Sequence, residues 1–262
     1  MNEEKYNLLY ALNRNVNDSY DSVDKVLSEY FINNWDKASE FNIYEIAAEC
    51  NVSRASIRRF AEKLGYGNFQ NLKRMMIINN QKTPNIAREN FRKLLTESIV
   101  SITEELDERM NSDQVRIICE EMRRCNNFYI FSAGQSFSAV KDFQVKLSEY
   151  GKIAKLIYRK EDLDFLIENG NQDDLVLVIS ITGKLAIDNK KALHDLNCRK
   201  ILVTVNRLTD FSPYFTKCYF LSHLDHSANA NMYRKYGLNY FLDILANEYI
   251  WLNEIFLKIL AV

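Results

Sequence analysis

The chain has 262 residues, and its 34 Lys and Arg against 35 Asp and Glu leave a formal net charge of −1. That length holds two domains or one large one, while the even balance excludes attachment to nucleic acid by bulk basicity, so any basic surface is local. No apolar run approaches the roughly 20 residues that span a bilayer; five scattered cysteines without a CxxC pair and three histidines without ligand spacing point to reduced thiols and no metal.

In chain order, the acidic start MNEEKYNLLY lacks the basic region of a secretory leader, so a cytoplasmic protein with no membrane partner is expected. Val23, Leu27, Tyr30 and Phe31 share one helical face, as do Ile43, Ile46 and Ala47. The polar stretch from Asn79 to Asn85 holds Pro84, which bars a regular helix through Thr83 and ends the first domain. From Ile86 to about Met122 the pattern is helical again, with Phe91, Leu94, Leu95, Ile99 and Ile102 in register.

From Asn127 the texture changes. Phe128 to Phe131 is a short apolar run, followed by a helix to about Tyr150 and a strand over Lys152 to Tyr158. Leu175 to Ile179 is apolar at every position, as a parallel strand covered on both faces must be. Lys200 to Val205 repeats that texture, and Cys218 to Leu221 gives a shorter version. An apolar helix from Tyr236 onward carries Leu238, Phe241, Leu242, Leu245 and Ala246 on one stripe. Strands alternating with helices predict a parallel sheet in a three-layer α/β sandwich, preceded by an all-α domain.

Two stretches carry chemistry. Ile43 to Tyr66 reads as two short helices around a turn at Asn51-Val52-Ser53. Ala47 is small where the helices cross, and Asn51 tolerates a left-handed turn. Ser53 can cap the second helix. Ile57, Phe60, Ala61 and Leu64 face inward, leaving Arg54, Ala55, Arg58, Arg59, Glu62 and Lys63 outward. A helix-turn-helix presents the start of its second helix to base edges in the major groove. Arg54, Ala55 and Arg58 are therefore expected at bases, with Ser53, Ser56 and Arg59 nearer phosphates and Lys63 beside them. Between Asn51 and Lys82 the basic residues Arg54, Arg58, Arg59, Lys63, Lys73, Arg74 and Lys82 stand against Glu62 alone. The competing reading is a packing motif with a solvated charged face.

The second stretch lies beyond strand ends, where parallel sheets bind ligands and helix N-termini aim N–H groups at anions. Gly134, Gln135 and Ser136 follow one strand; Ser180, Thr182, Gly183 and Lys184 follow another. Glycine admits close backbone approach and hydroxyls donate to phosphate oxygens, although Ser and Thr can equally serve as helix caps. No P-loop or GxGxxG is present, so no nucleotide cofactor is expected. His223 and His226 follow the last strand, either as contacts to a sugar hydroxyl, as a general base, or as ordinary polar surface residues.

These residues carry a resemblance. The segments Ile43-Tyr44-Glu45-Ile46-Ala47, Val52 to Phe60 and Leu64 to Lys73, together with the α/β half from about Asn127 to Leu224, resemble the RpiR-type regulators. Such proteins join an N-terminal helix-turn-helix domain to a C-terminal SIS (sugar isomerase) domain. The resemblance implies residues 1–80 as the DNA-binding domain, 81–108 as linker and connecting helix, and 109–262 as the SIS domain for effector binding and oligomerisation. It also implies a double-stranded palindromic operator, a phosphosugar effector, a dimer or tetramer, and control of sugar-metabolism genes without catalysis.

The family's phosphate loop runs Ser-x-Ser-Gly-x-Thr; here the last hydroxyl is Leu185, with Lys184 as a possible substitute charge, and the first glycine of the preceding loop is Ser132. A sugar-phosphate isomerase with an accessory helical domain is the rival expectation. A regulator whose SIS domain only oligomerises is the third.

Overall fold

Apolar residues at helical spacing build the first unit, and alternating burial builds the second. The computed structural model describes residues 3–18, 22–78, 80, 88–110, 113–132, 136–157, 159–227 and 230–260. It divides into two compact units, Met1–Ile86 and Ala87–Val262.

In the first unit, α1 (Glu3–Asp18) and α2 (Val23–Asn33) precede a 3-10 turn, Trp35–Glu40. Three short helices follow: α3 (Ile43–Glu49), α4 (Arg54–Lys63) and α5 (Phe69–Ile78). Leu8, Leu12, Leu27, Phe31, Ile46, Ile57, Phe60, Leu72 and Met76 form its core. At the centre, Phe31 stacks on Phe60 with ring centroids 5.8 Å apart and meets Phe41 edge-on at 5.4 Å. The expected face of α2 is only partly inward: Leu27 and Phe31 are buried, whereas Val23 is exposed.

The second unit opens with α6 (Arg88–Met110) and α7 (Asp113–Arg124), so the predicted helical stretch is two helices. By its contacts α6 groups with this unit, and Ile102, Leu106 and Met110 at its far end are buried there. Then come β1 (Phe128–Ser132), α8 (Phe137–Glu149), β2 (Ala154–Ile157), α9 (Lys160–Asn169) and β3 (Leu175–Ile179). The short helices α10 (Lys184–Asp188) and α11 (Lys190–Asp195) lead to β4 (Arg199–Thr204) and β5 (Lys217–Phe220). A π-turn at Tyr233–Gly237 runs into α12 (Leu238–Leu260).

Among the described residues these strands form one parallel sheet of order β2-β1-β3-β4-β5. The central strand explains its unbroken apolar run. Leu175, Leu177 and Ile179 join the core beneath α6, α7, α8 and α12, while Val176 and Val178 join the opposite core with Leu163, Leu166 and Leu193. Period-two alternation thus sends neighbours to different layers, and a three-layer α/β sandwich results. The strand order reverses between β1 and β3, which makes their carboxyl ends the switch point of the sheet.

Candidate functional site

Local chemistry sets the helix-turn-helix. Asn42 caps α3 by accepting from the N–H of Tyr44 at 3.0 Å. Asn51 adopts φ 50°, the left-handed conformation that asparagine tolerates better than most residues. Val52 N–H donates to the carbonyl of Ala47 at 2.9 Å, closing the turn. Ser53 Oγ accepts from the N–H of Ser56 at 3.1 Å and lies 2.9 Å from Ser56 Oγ, so both hydroxyls are engaged at the start of α4. At the other end Tyr66 N–H donates to Ala61 and Gly65, at φ 86°, carries the chain out of the helix.

Burial divides α4 into two faces. Ile57, Phe60 and Ala61 are buried, whereas Arg54, Ala55, Arg58, Arg59, Glu62 and Lys63 are exposed. Arg54 lies over the exposed ring of Tyr44, 4.6 Å from its centroid, so α3 helps to aim it. Sequence reasoning missed Tyr44; its placement at the start of α3, ten residues before Arg54 at the start of α4, was the available signal. Arg58 and Arg59 make no ion pair or hydrogen bond among the described residues. Lys63 instead donates to Asp24 of α2 at 2.8 Å. That exposed pair is worth little and leaves Lys63 free to exchange partners.

At the switch point, Ser132 of β1 is paired in register with Ile179 of β3, so the two predicted loops start side by side. Gly134 and Gln135 lie outside the described residues. Ser136 is buried immediately before α8, and its side chain makes no capping bond to that helix. Ser180 behaves differently: it is buried, and its Oγ accepts from the N–H of Ala186 at 3.2 Å. Thr182 Oγ1 accepts from the N–H of Lys184 at 3.4 Å, and both residues are half-buried. Leu185 packs against the core shared with α9 and α11.

Asn206, after β4, fixes this loop, and sequence reasoning missed it. Its Nδ2 donates to the carbonyl of Thr182 at 2.9 Å, and its Oδ1 accepts from the N–H groups of Leu208 and Thr209, each at 3.0 Å. Gly183 sits beneath it at φ 83°, where an added Cβ would lie 2.8 Å from both Asn206 Nδ2 and Phe211 Cζ. Gly183→Ala is expected to cost about 1–2 kcal/mol for the left-handed backbone alone, and more as Asn206 and Phe211 give way. Thermal unfolding of the full chain with a lowered transition for the second unit is the check.

The far end of the same rim holds a second cluster. Glu105, on α6, accepts from Ser222 Oγ at 2.8 Å, from the N–H of His223 at 2.7 Å, and from the Tyr233 hydroxyl. Burial pushes the Glu105 carboxyl up, but the bonds from Tyr233, His223 and Ser222 outweigh it and hold the group below its ordinary value. Burial and the Glu105 bond push Tyr233 up to about 12. A carboxylate with a lowered folded-state pKa stabilises fully above the ordinary Glu value and loses that contribution as pH falls through the lowered one. The stability difference between the wild type and Glu105→Gln is accordingly expected to shrink on acidification, as read by urea unfolding from neutral to acid pH.

Arg109, one turn on from Glu105, donates from Nε to the carbonyl of Phe220 at 2.6 Å, and its Nη1 lies 3.0 Å from His223 Nδ1. Because arginine is always protonated, that His223 nitrogen accepts and the ring proton sits on Nε2. His226 packs its ring 4.7 Å from that of Tyr233. Among the described residues no group of His, Cys, Asp and Glu has the arrangement of a metal site, and no helix is long and apolar enough to cross a membrane.

Two short helices around a tight turn with an arginine-bearing outer face, and a separate parallel α/β unit whose strand order reverses between β1 and β3, define a helix-turn-helix protein with a second α/β unit. A family model described as the helix-turn-helix domain of the rpiR family matches residues 7–83. It is 27% identical over 175 residues to a protein of Escherichia coli K12 named as the uncharacterized HTH-type transcriptional regulator YfhH, covering 61% of each. It is 25% identical over 213 residues to the similarly named CPE0189 of Clostridium perfringens, covering 74% of this chain and 76% of that one. The match thus spans about 61% of the length of the Escherichia coli relative, short of two thirds. Among solved structures, NanR of Vibrio vulnificus, complexed with ManNAc-6P, superposes with a TM-score of 0.53 at 16% identity over 93% of this chain and 91% of that one. The expected fold class, a helical reader followed by a SIS-like sandwich, is borne out.

Proposed function

We propose that the chain is a DNA-binding transcriptional regulator of sugar-metabolism genes whose operator affinity changes when a phosphosugar binds at the β1–β3 switch point. The single observation that carries the effector half is the register pair of Ser132 and Ile179, which starts two small-residue loops side by side at the reversal of strand order. Ser136 supports it further, because its buried hydroxyl stands at the start of α8 without capping it. The naming of relatives as transcriptional regulators supports the DNA half, and the ManNAc-6P complex of NanR supports a phosphosugar as the ligand class.

In this reading residues 1–80 bind a double-stranded operator, 81–108 link the domains, and 109–262 bind the effector and assemble the chain as a homo-oligomer in the cytoplasm. Arg54, Ala55 and Arg58 contact bases, with Ser53, Ser56, Arg59 and Lys63 at the backbone. Gly134, Gln135, Ser136, Ser180, Thr182, Gly183 and Lys184 surround the phosphosugar, and Ser180 also holds the loop by accepting from the N–H of Ala186. The chain is not an isomerase in this reading. Moving a proton between adjacent carbons needs a poised base, and His223 has its Nδ1 lone pair engaged by Arg109.

A thermal-shift screen of hexose, pentose and amino-sugar phosphates tests the effector half. One class is expected to raise the melting temperature of the full chain. Ser136→Ala is expected to weaken that ligand by about 1–3 kcal/mol, roughly 5- to 150-fold, for one lost bond to a charged group. No shift with any phosphosugar would leave the SIS-like unit as an oligomerisation module alone.

A further inference from the structure

We infer that Glu105 is the residue that couples the effector rim to α6, the helix that the chain enters on leaving the DNA-binding unit. The inference rests on the regulatory reading above. Open strand edges need partners for their backbone groups, and β5 is the edge strand of the sheet. Beyond its pairing with β4, the carboxyl end of β5 and the residues after it meet one turn of a helix. Arg109 takes the carbonyl of Phe220, while Glu105 takes the N–H of His223 and the hydroxyl of Ser222. Glu105 and Arg109 are four residues apart on one face of α6, so a single turn of that helix clasps the end of β5.

The same carboxylate reaches a third element. Tyr233 donates to it from the π-turn, and the backbone of that turn comes close to α6: a Cβ built on Gly237 would lie 3.3 Å from Ile102 Cγ2 and from Leu106 Cδ1. π-turns carry an extra residue per turn and are common where a helix must present a side chain for function. Here the turn aims Tyr233 at Glu105 and packs its ring against that of His226.

The clasp is continuous with the effector loop through bonded neighbours. Arg207 donates from Nε to the carbonyl of Ser222 at 2.7 Å and from its backbone N–H to Asp225 at 2.8 Å. Asn206, next to it, holds the carbonyl of Thr182. A change at the Thr182–Lys184 loop therefore has a hydrogen-bonded route by way of Asn206, Arg207 and Ser222 to the Glu105 carboxylate. Buried or half-buried carboxylates with three donors have few alternative arrangements, so α6 follows when its donors move.

Coupling is measured as the ratio of operator affinities with and without effector. The test uses the full chain, a labelled operator duplex, and fructose 6-phosphate, glucosamine 6-phosphate, N-acetylmannosamine 6-phosphate and ribose 5-phosphate as probes. In the wild type one probe is expected to change operator affinity by a factor in the roughly 5- to 150-fold range usual for allosteric coupling. Glu105→Gln is expected to keep the probe's thermal shift and the probe-free operator affinity, while the ratio falls below about 2-fold. Tyr233→Phe, which removes one donor and keeps the ring, gives an intermediate ratio and covers the case in which Glu105→Gln does not fold. A wild-type ratio retained in both variants overturns the role of Glu105 and leaves the regulatory reading intact. A wild type with no change for any probe overturns the regulatory reading and this inference with it.

Discussion

Phe60→Ala is expected to destabilise the first unit by about 3–5 kcal/mol, the usual cost of emptying a buried aromatic position. Phe60 is 1% exposed and stacks on Phe31, so the truncation opens the centre of the core that seats α4. A unit of this size commands on the order of 4–13 kcal/mol in total. The variant is thus expected to lose a large part of its folded reader, and operator binding with it, in urea unfolding followed by circular dichroism. Arg59→Ala, on the opposite exposed face, is expected to change stability by less than about 0.5 kcal/mol. Equal stability losses at the two positions would contradict the assignment of inner and outer faces.

The second large effect falls on DNA itself. Arg58→Ala is expected to weaken a specific operator by about 1–3 kcal/mol, roughly 5- to 150-fold, and to relax discrimination at one base pair. Arg59→Ala is expected to weaken all sequences alike and to flatten the logarithmic salt dependence by about one ion. Both side chains are exposed and unengaged among the described residues, which makes the comparison clean. Lys63→Ala should do less than either, because Lys63 starts from a contact with Asp24. Anisotropy titrations at several salt concentrations against operator and scrambled duplexes separate these outcomes.

Much of the reader was legible in sequence because its determinants are local. Ser53 capping, the left-handed Asn51 and the stripe Ile57, Phe60 and Ala61 all act within about one turn of their own position. The sheet was legible in kind, since only a strand covered on both faces reads Leu175-Val176-Leu177-Val178-Ile179 without a polar break. Strand limits shifted by one or two residues, as at β2 (Ala154–Ile157) and β4 (Arg199–Thr204). Strand order was not legible, because pairing is decided by packing between distant segments. The α9 helix escaped notice as well: only Leu163 and Leu166 of it are buried, too few for a clear period.

The effector side was legible only in part, for the same physical reason. Ser136 and Ser180 look alike as residues, yet Ser180 Oγ accepts from the N–H of Ala186 while Ser136 makes no side-chain bond to its helix, and only three-dimensional placement separates them. Glu105 meets Ser222, His223 and Tyr233 across 117, 118 and 128 residues of sequence, with no motif to announce the meeting. Leu185 was visible in the sequence as a departure from the loop that the resemblance implied, and in the structure it packs against the core beside α11.

The most direct test of the account is selection of duplexes by the purified full chain from a random pool, followed by titration of the selected DNA with and without the phosphosugar panel. The account predicts enrichment of a two-half-site sequence whose affinity changes at least about fivefold with one phosphosugar. A pool that shows no enrichment, or a selected duplex whose affinity is the same with every phosphosugar, would contradict it.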